Sequence, residues 1–324
     1  MQEEAPIVQR GACVSRRSFL SCTAAALVSL AGAGRALADD SSTVVSALPS
    51  TEDTVATSET KQQVPTALPS WVDEQTAQTL LSQTGDDLVD QILIDAEQLG
   101  QLGESLAAKL LKLAAENPDA HKYVAEFLES YPGKTAEGLT EADLVDEGVP
   151  HFMQWDQRWG YMQYLEGPMG TKGCCPTCLS MLYCALTKSC DMSPYLVSLL
   201  ATESGHCDAE NGTYGEFVQY FADHMGFDFA DLEVNSVDPA ANALNDGWLL
   251  VCNLAPGTFT DVGHYVLVTG WAEDVTVNVN DPYTTSVNQQ AWPLATVVFE
   301  CNSMYALRLK APQEAATTTE TTQG

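Results

Sequence analysis

The chain has 324 residues, and its 44 Asp and Glu residues against 14 Lys and Arg give a formal net charge of -30. A charge this negative repels phosphate backbones and anionic lipids, so we expect neither nucleic acid nor a lipid surface as a partner. The length allows one good-sized core and a smaller second region.

The N-terminus carries three export features in order. Residues 15–20 read SRRSFL, an apolar run covers residues 24–34, and residues 36–38 read ALA. This order is typical of a twin-arginine signal peptide over residues 1–38, although an arginine pair can lie beside an apolar patch by chance. We expect folded export to the extracellular space or cell surface. Because the apolar run is too short to span a bilayer, we expect no membrane insertion of the mature form.

Composition divides the rest of the chain into four segments. Residues 39–70 are rich in Ser, Thr, Ala and Pro, which predicts a disordered linker. Residues 71–146 have apolar residues at helical spacing and predict a helical segment. Residues 147–311 mix short strands with helices and predict an α+β domain. The Thr-rich residues 312–324 predict a disordered tail.

The helical segment has two interpretations. It is either a spacer or cap that packs on the main domain, or an inhibitory pro-segment. We favour packing, because an apolar stripe at this spacing usually marks a buried face. The sequence NPD at residues 117–119 predicts a break between two helices.

Cys174 is the candidate nucleophile. Residues 173–183 read GCCPTCLSMLY, in which Gly173 can adopt a conformation that other residues resist and Pro176 suits the first turn of a helix. The helix dipole would stabilise a thiolate at Cys174, and the free backbone N–H groups would bind an oxyanion. Cys175 and Cys178 could instead form a redox or metal pair, but no second pair at ligand spacing accompanies them. We therefore expect no metal and no cofactor.

His264 and Asp281 are predicted to face each other across a hairpin. Two β-rich runs flank a four-residue turn at residues 271–274. If Gly270 pairs with Val275, His264 lies directly opposite Asp281, with Cβ atoms roughly 5 Å apart. The carboxylate would then fix the imidazole tautomer and support the imidazolium. The alternative is a lone exposed histidine, and a slip of one residue would separate the pair.

Eight cysteines remain after removal of the signal peptide, and an exported protein can oxidise them. Their pairing does not follow from the sequence. Cys190 and Cys207, which flank a loop-like stretch, are the candidate disulfide.

Four blocks in order carry a family resemblance. Their sequences are VPHFMQWDQRWG at 149–160, GCCPTCLSM at 173–181, PGTFTDVGH at 256–264 and VNDP at 279–282. They resemble the motifs of bacterial papain-like cysteine peptidases related to the bacteriocin-processing peptidases. The resemblance implies a papain-like α+β fold, in which N-terminal helices pack on an antiparallel sheet.

The resemblance also implies site residues. Cys174 is the nucleophile, His264 the base, Asp281 the orienting residue and Gln154 the side-chain donor of the oxyanion hole, with Gln163 as the alternative donor. The family has glycine where this chain has a second cysteine after Cys174, and a side chain there could crowd the thiol or form a disulfide with it.

The sequence therefore predicts a secreted cysteine peptidase or amide hydrolase that forms an acyl-enzyme. Its substrates would be extracellular peptides or the peptide stems of peptidoglycan. The alternative is an inactive papain-fold protein that binds or adheres to surfaces. We do not extend the leader-processing role, because it usually accompanies transporter domains that this sequence lacks.

Overall fold

The structure is a computed structural model that describes residues 63–311. The predicted signal peptide, residues 39–62 of the predicted linker and the tail from residue 312 lie outside the described residues. Residues 63–70, assigned to the linker from composition, are described. Their side chains Val64 and Leu68 pack against the helical core.

The helical segment contains five helices whose apolar faces share one core. They are α1 (Glu74–Ser82), α2 (Asp87–Gln101), α3 (Glu104–Glu116), α4 (His121–Ala125) and α5 (Phe127–Ser130). Asp73 and Asp86 cap α1 and α2 by accepting hydrogen bonds from the first-turn N–H groups. A 3-10 turn at Pro118–Ala120 separates α3 from α4, at the predicted break.

The rest of the described chain mixes helices with antiparallel strands. The helices are α6 (Met169–Lys172), α7 (Cys174–Thr187), α8 (Pro194–Glu203), α9 (Glu216–Met225), α10 (Asp238–Asn245) and α11 (Leu294–Phe299). The strands are β1 (Gln163–Tyr164), β2 (Gly167–Pro168), β3 (Cys207–Asp208), β4 (Gly212–Thr213), β5 (Phe227–Leu232), β6 (Leu249–Leu254), β7 (His264–Trp271), β8 (Thr276–Asn280), β9 (Trp292–Pro293) and β10 (Cys301–Leu309). The predicted α+β class is confirmed.

Six of these strands form one antiparallel sheet in the order β5-β10-β6-β7-β8-β9. Its two faces are both buried. Val251 and Leu267 belong to a core shared with α7, α8 and α9, whereas Leu250 and Val268 belong to a core shared with α10 and α11. Because alternate residues enter different cores, the central strands are mostly apolar.

The predicted register of the β7–β8 hairpin is wrong. Trp271 pairs with Val277 near the turn, which is three residues away from the predicted alignment. The strands leave residues 272–275 as the turn instead of residues 271–274, and Asp274 in this turn adopts a positive φ of 45°. A bulge between Val268 and Gly270 takes up one residue, so the alignment beyond it differs by two. An even shift preserves the side-chain faces, whereas an odd shift would have inverted them.

The predicted disulfide between Cys190 and Cys207 is also wrong, since all eight cysteines of the described chain are free. Cys190 interacts with Cys184, whereas Cys207 interacts with Cys175 at the other end of α7. Nine residues of helix separate those two positions, or about 13 Å. The thiols are therefore too far apart to be joined.

Among residues 63–311, no helix is both long enough and apolar enough to cross a membrane. In the same part of the chain, no three His, Cys, Asp or Glu side chains are grouped so that they could hold a metal ion.

Candidate active site

Cys174 is the first residue of α7 and is half-buried. The N–H groups of a first helical turn have no partner within the helix, so they are free to bind a developing negative charge. Gly173 precedes it with an ordinary φ of -90°, so the conformational freedom of glycine is not used here. Space is the reason for glycine, since a Cβ there would lie 2.5 Å from Met169 Cε and 2.8 Å from Met169 O.

His264 is the first residue of β7 and lies between a thiol and a carboxylate. Its Nε2 is 2.8 Å from Oδ1 of the fully buried Asp281. The imidazole also hydrogen-bonds Cys174. Because Asp281 engages Nε2, the nitrogen of His264 that remains for Cys174 is Nδ1. If the observed register continued past β8, Asp281 would face Val266 instead of His264, so the contact is diagonal. Diagonal neighbours are about 7–8 Å apart at Cα, a distance that these two side chains span.

The electrostatics of this group favour a thiolate–imidazolium pair. Burial disfavours the imidazolium, but the charge and hydrogen bond of Asp281, together with smaller contributions from Cys174, outweigh burial and raise the pKa of His264 from 6.5 to about 10. Burial also disfavours the Cys174 thiolate. The hydrogen bond and positive charge of His264, with smaller contributions from backbone groups, outweigh it and lower the pKa of Cys174. A lowered pKa favours the thiolate, which is the reactive form of cysteine.

The Asp281 carboxylate is held by its own loop. Its Oδ1 accepts hydrogen bonds from the backbone N–H groups of Tyr283, at 2.7 Å, and Thr284, at 3.1 Å. Asn288 bonds both the backbone N–H and the carbonyl of Asp281, and His151 Nε2 lies 2.9 Å from the same carbonyl. Sequence reasoning missed Asn288 and His151, because nothing in their local sequence marks a contact made through tertiary structure.

Gln154 lies between the two segments that carry the thiol and the carboxylate. Its backbone N–H donates to Pro282 O at 2.7 Å, directly after Asp281. Its side-chain Nε2 donates to Gly170 O at 3.0 Å, in the helix that precedes Cys174. An amide nitrogen carries two hydrogens, so one remains to donate to a ligand.

Gln163, the alternative donor, is differently engaged. It is exposed on β1, where its Oε1 accepts from the Tyr131 hydroxyl at 2.6 Å and its Nε2 donates to Leu165 O at 2.7 Å. Gln154, by contrast, contacts both the segment that precedes Cys174 and the segment that follows Asp281.

Cys175 and Cys178 are fully buried in the core beneath the sheet. Burial raises the pKa of both thiols well above the usual value, and Cys178 donates to Tyr265 O at 3.4 Å. Neutral buried thiols behave as small core residues, so this environment does not favour a redox or metal pair. The Cys175 side chain occupies this core and forms no disulfide with Cys174.

Tyr283 connects the site to the helical core. Its ring meets that of His264 edge-on at 6.2 Å between centroids, and its carbonyl accepts a hydrogen bond of 2.9 Å from Trp155 Nε1. Trp155 is buried among the residues of α1–α5. Trp155, the residue after Gln154, thus anchors the loop that contains Asp281 and Tyr283 to the helical segment.

Comparisons with known proteins give one family match and several similar solved structures. A family model described as the Peptidase_C39 like family matches residues 147–306. The peptidase domain of Streptococcus ComA, described as a bi-functional ABC transporter involved in a quorum sensing pathway, is 18% identical with a TM-score of 0.32. That match covers 43% of this chain and 93% of the other. A C39-like peptidase from Bacillus anthracis is 15% identical with a TM-score of 0.33, and its match covers 52% of this chain and 100% of the other. A search of curated proteins finds no match.

The family match covers every member of the site described above, from Gln154 to Asp281. Residues 147–306 of this chain match the C39-like family, the papain-like cysteine peptidases related to the bacteriocin-processing peptidases that the four sequence blocks resemble.

Proposed function

We propose that this protein is an exported cysteine peptidase that hydrolyses amide bonds through an acyl-enzyme on Cys174. The observation that carries the proposal is the arrangement in which Cys174 hydrogen-bonds His264, whose other nitrogen lies 2.8 Å from the buried Asp281. This is the order of nucleophile, base and orienting group that cysteine hydrolysis needs.

In the first half of the reaction, the Cys174 thiolate forms a bond to the substrate carbonyl carbon. The oxyanion accepts hydrogen bonds from the second Nε2 hydrogen of Gln154 and from the N-terminus of α7. The carbon–nitrogen bond then breaks, and His264 gives its proton to the leaving amine.

In the second half, neutral His264 takes a proton from water, and the hydroxide formed attacks the thioester carbonyl. The carbon–sulfur bond breaks, which releases the carboxylic acid product and restores the thiolate–imidazolium pair. Asp281 supports the imidazolium in both halves.

The proposed substrates are extracellular peptides or the peptide stems of peptidoglycan. The support for this class is the twin-arginine pattern of residues 15–38, which would deliver the folded enzyme outside the cytoplasmic membrane. Export is tested by replacing Arg16 and Arg17 with Lys. We expect the variant to accumulate unprocessed in the cytoplasm, and unchanged export would contradict this part of the proposal.

The activity is tested by incubating the purified protein with a peptide library and with muropeptides, and identifying products by mass spectrometry. Cys174→Ala should abolish hydrolysis while the protein stays folded. Cys175→Ala is the matched control and should keep activity, because that side chain lies in the core.

Two results would contradict the proposal. Hydrolysis that survives in Cys174→Ala but not in Cys175→Ala would move the nucleophile by one residue. If no substrate is cleaved and the Cys174 thiol reacts with alkylating reagents no faster than the half-buried Cys207, the domain is an inactive binding protein.

A further inference from the structure

The helical segment lies outside the region that matches the C39-like family, yet it contacts the loops that carry the proposed catalytic residues. Lys112 of α3 forms an ion pair with Asp261, three residues before His264. Asn117, directly after α3, hydrogen-bonds Thr285, four residues after Asp281. Both contacts start at the C-terminal end of α3, one from its last turns and one from the residue that follows it.

Asn117 is fully buried, and both the nitrogen and the oxygen of its side-chain amide form hydrogen bonds. Its Nδ2 donates to Leu113 O at 3.2 Å, which fixes the side chain on the end of α3. Its Oδ1 accepts from the backbone N–H of Thr285 at 2.9 Å and lies 3.4 Å from the Thr285 hydroxyl. A buried amide with both ends paired has one orientation, because any rotation leaves polar atoms unpaired.

Thr285 continues the turn that shapes the carboxylate. The N–H groups of Tyr283 and Thr284 point at Asp281 Oδ1, and the N–H group of Thr285 points at Asn117. Three consecutive backbone donors are therefore shared between the carboxylate and the helical segment. A shift of Thr285 would move the two donors that hold Asp281.

We propose that Asn117 is a positioning residue that holds the Asp281 loop in the geometry that His264 requires, and that the helical segment is a permanent part of the catalytic unit. The inference rests on the proposed function. It assigns a role in catalysis to a residue outside the family domain, and it disfavours the interpretation of the segment as a removable inhibitor.

Several titratable groups face this part of the site. Cys174, Asp281 and Tyr283 face His264. His151 and Cys178 face Asp281, and Glu116 of α3 faces Tyr283 from the helical side. The expected effect of Asn117 acts through the distance between Asp281 and the imidazole. If that distance increases, the imidazolium loses support and the thiolate forms at higher pH.

The test measures the rate at which iodoacetamide alkylates Cys174 as a function of pH, with peptide mapping by mass spectrometry. Asn117→Ala removes the acceptor. Thr285→Pro removes the donor, and Pro is tolerated there because Thr285 is the first residue of a 3-10 helix that follows an extended Thr284. The full-length exported protein is used throughout.

We expect each variant to move the low-pH limb of the profile upward by about one unit, which is about a tenfold slower alkylation at any pH on that limb. Because both variants break the same hydrogen bond between Thr285 and Asn117, alkylation of the double variant should be no slower than that of either single variant. Ile92→Val is the matched control. It loosens the same helical core without touching the loop, and its pH profile should stay unchanged.

Unchanged profiles in both single variants, with fast labelling retained in the unmodified protein, would overturn the role of Asn117 and leave the proposed function standing. Slow labelling of Cys174 in the unmodified protein would instead overturn the proposed function and this inference with it. If Asn117→Ala fails to fold, as judged by circular dichroism, Thr285→Pro decides between these outcomes.

Discussion

Cys174 and Cys175 are neighbours in the chain with opposite chemistry. The first faces His264, which lowers its pKa, whereas burial raises the pKa of the second well above the usual value. The sequence predicted the nucleophile because a glycine, a proline and an apolar run mark the start of a helix. It did not show where the second side chain points, since that depends on how α7 packs against the sheet.

Asp281 is the residue on which the charge state of His264 depends. We expect Asp281→Asn to reduce turnover by roughly 10²-fold, because the amide cannot support the imidazolium and burial then favours the neutral ring. Steady-state hydrolysis of a peptide substrate measures the effect. Turnover within a factor of two of the unmodified protein would contradict the role of the carboxylate.

The pKa of His264 also makes stability depend on pH. The folded state binds this proton more tightly than the unfolded state, since the pKa is raised above 6.5. The stabilisation is complete below about pH 6.5 and is lost as the pH rises through the folded pKa. Cys174→Ala removes the thiol that is coupled to His264. Urea unfolding of that variant should therefore show a free energy of unfolding that declines as the pH rises above about 6.5.

The same measurement on a variant that combines Cys174→Ala with Asp281→Asn provides the control. Its decline should be smaller, because the carboxylate that raises the pKa is gone. Equal declines in the two proteins would mean that another group causes the pH dependence.

At the scale of elements, the hairpin shows what a sequence pattern leaves open. The two β-rich runs were predictable from their apolar alternation, and the pairing of His264 with Asp281 was derived from a register that the structure does not have. The bulge between Val268 and Gly270 and the positive φ of Asp274 shifted the register. The contact forms nonetheless, because the net shift is even and both side chains stay on one face.

The contact between α6 and the helical segment is close enough to exclude any side chain at Gly170. A Cβ there would lie 2.2 Å from the Tyr123 hydroxyl oxygen, whereas a Cβ at Gly167 would meet nothing closer than 3.5 Å. We expect Gly170→Ala to destabilise the protein by about 1–3 kcal/mol in chemical denaturation. It should also lower activity, since Gly170 O holds Gln154.

Gly167→Ala is the matched control for this prediction. It adds the same methyl group on β2, two residues before the start of α6. Stability and turnover should therefore stay nearly unchanged. If the two variants behaved alike, the close packing of Tyr123 on α6 would not matter for the fold or the site.

At the scale of the whole molecule, the helical segment and the peptidase domain share buried residues. Trp155 and Tyr161 belong to the domain by sequence but lie in the core built by α1–α5. Tyr161 stacks on Tyr123 of α4 at 4.7 Å between ring centroids. The apolar spacing of the segment predicted a packed face. It could not predict which surface that face covers, because the partner residues are distant in sequence.

Removal of residues 63–131 should therefore lower the melting temperature and the turnover of the protein together. The deletion exposes Trp155 and Tyr161 and removes the acceptor for Thr285. Thermal unfolding and peptide hydrolysis of the truncated protein measure both effects. A truncated protein that is stable and more active than the full chain would identify the segment as an inhibitory pro-segment.

The central claim is that Cys174 is a thiolate paired with His264, and site-resolved alkylation tests it most directly. The protein is treated with iodoacetamide at pH 6, and the labelling rate of every cysteine is followed by mass spectrometry. We predict that Cys174 reacts at least about tenfold faster than the half-buried Cys207, and that His264→Ala removes the difference. Equal rates at Cys174 and Cys207 in the unmodified protein would contradict the account.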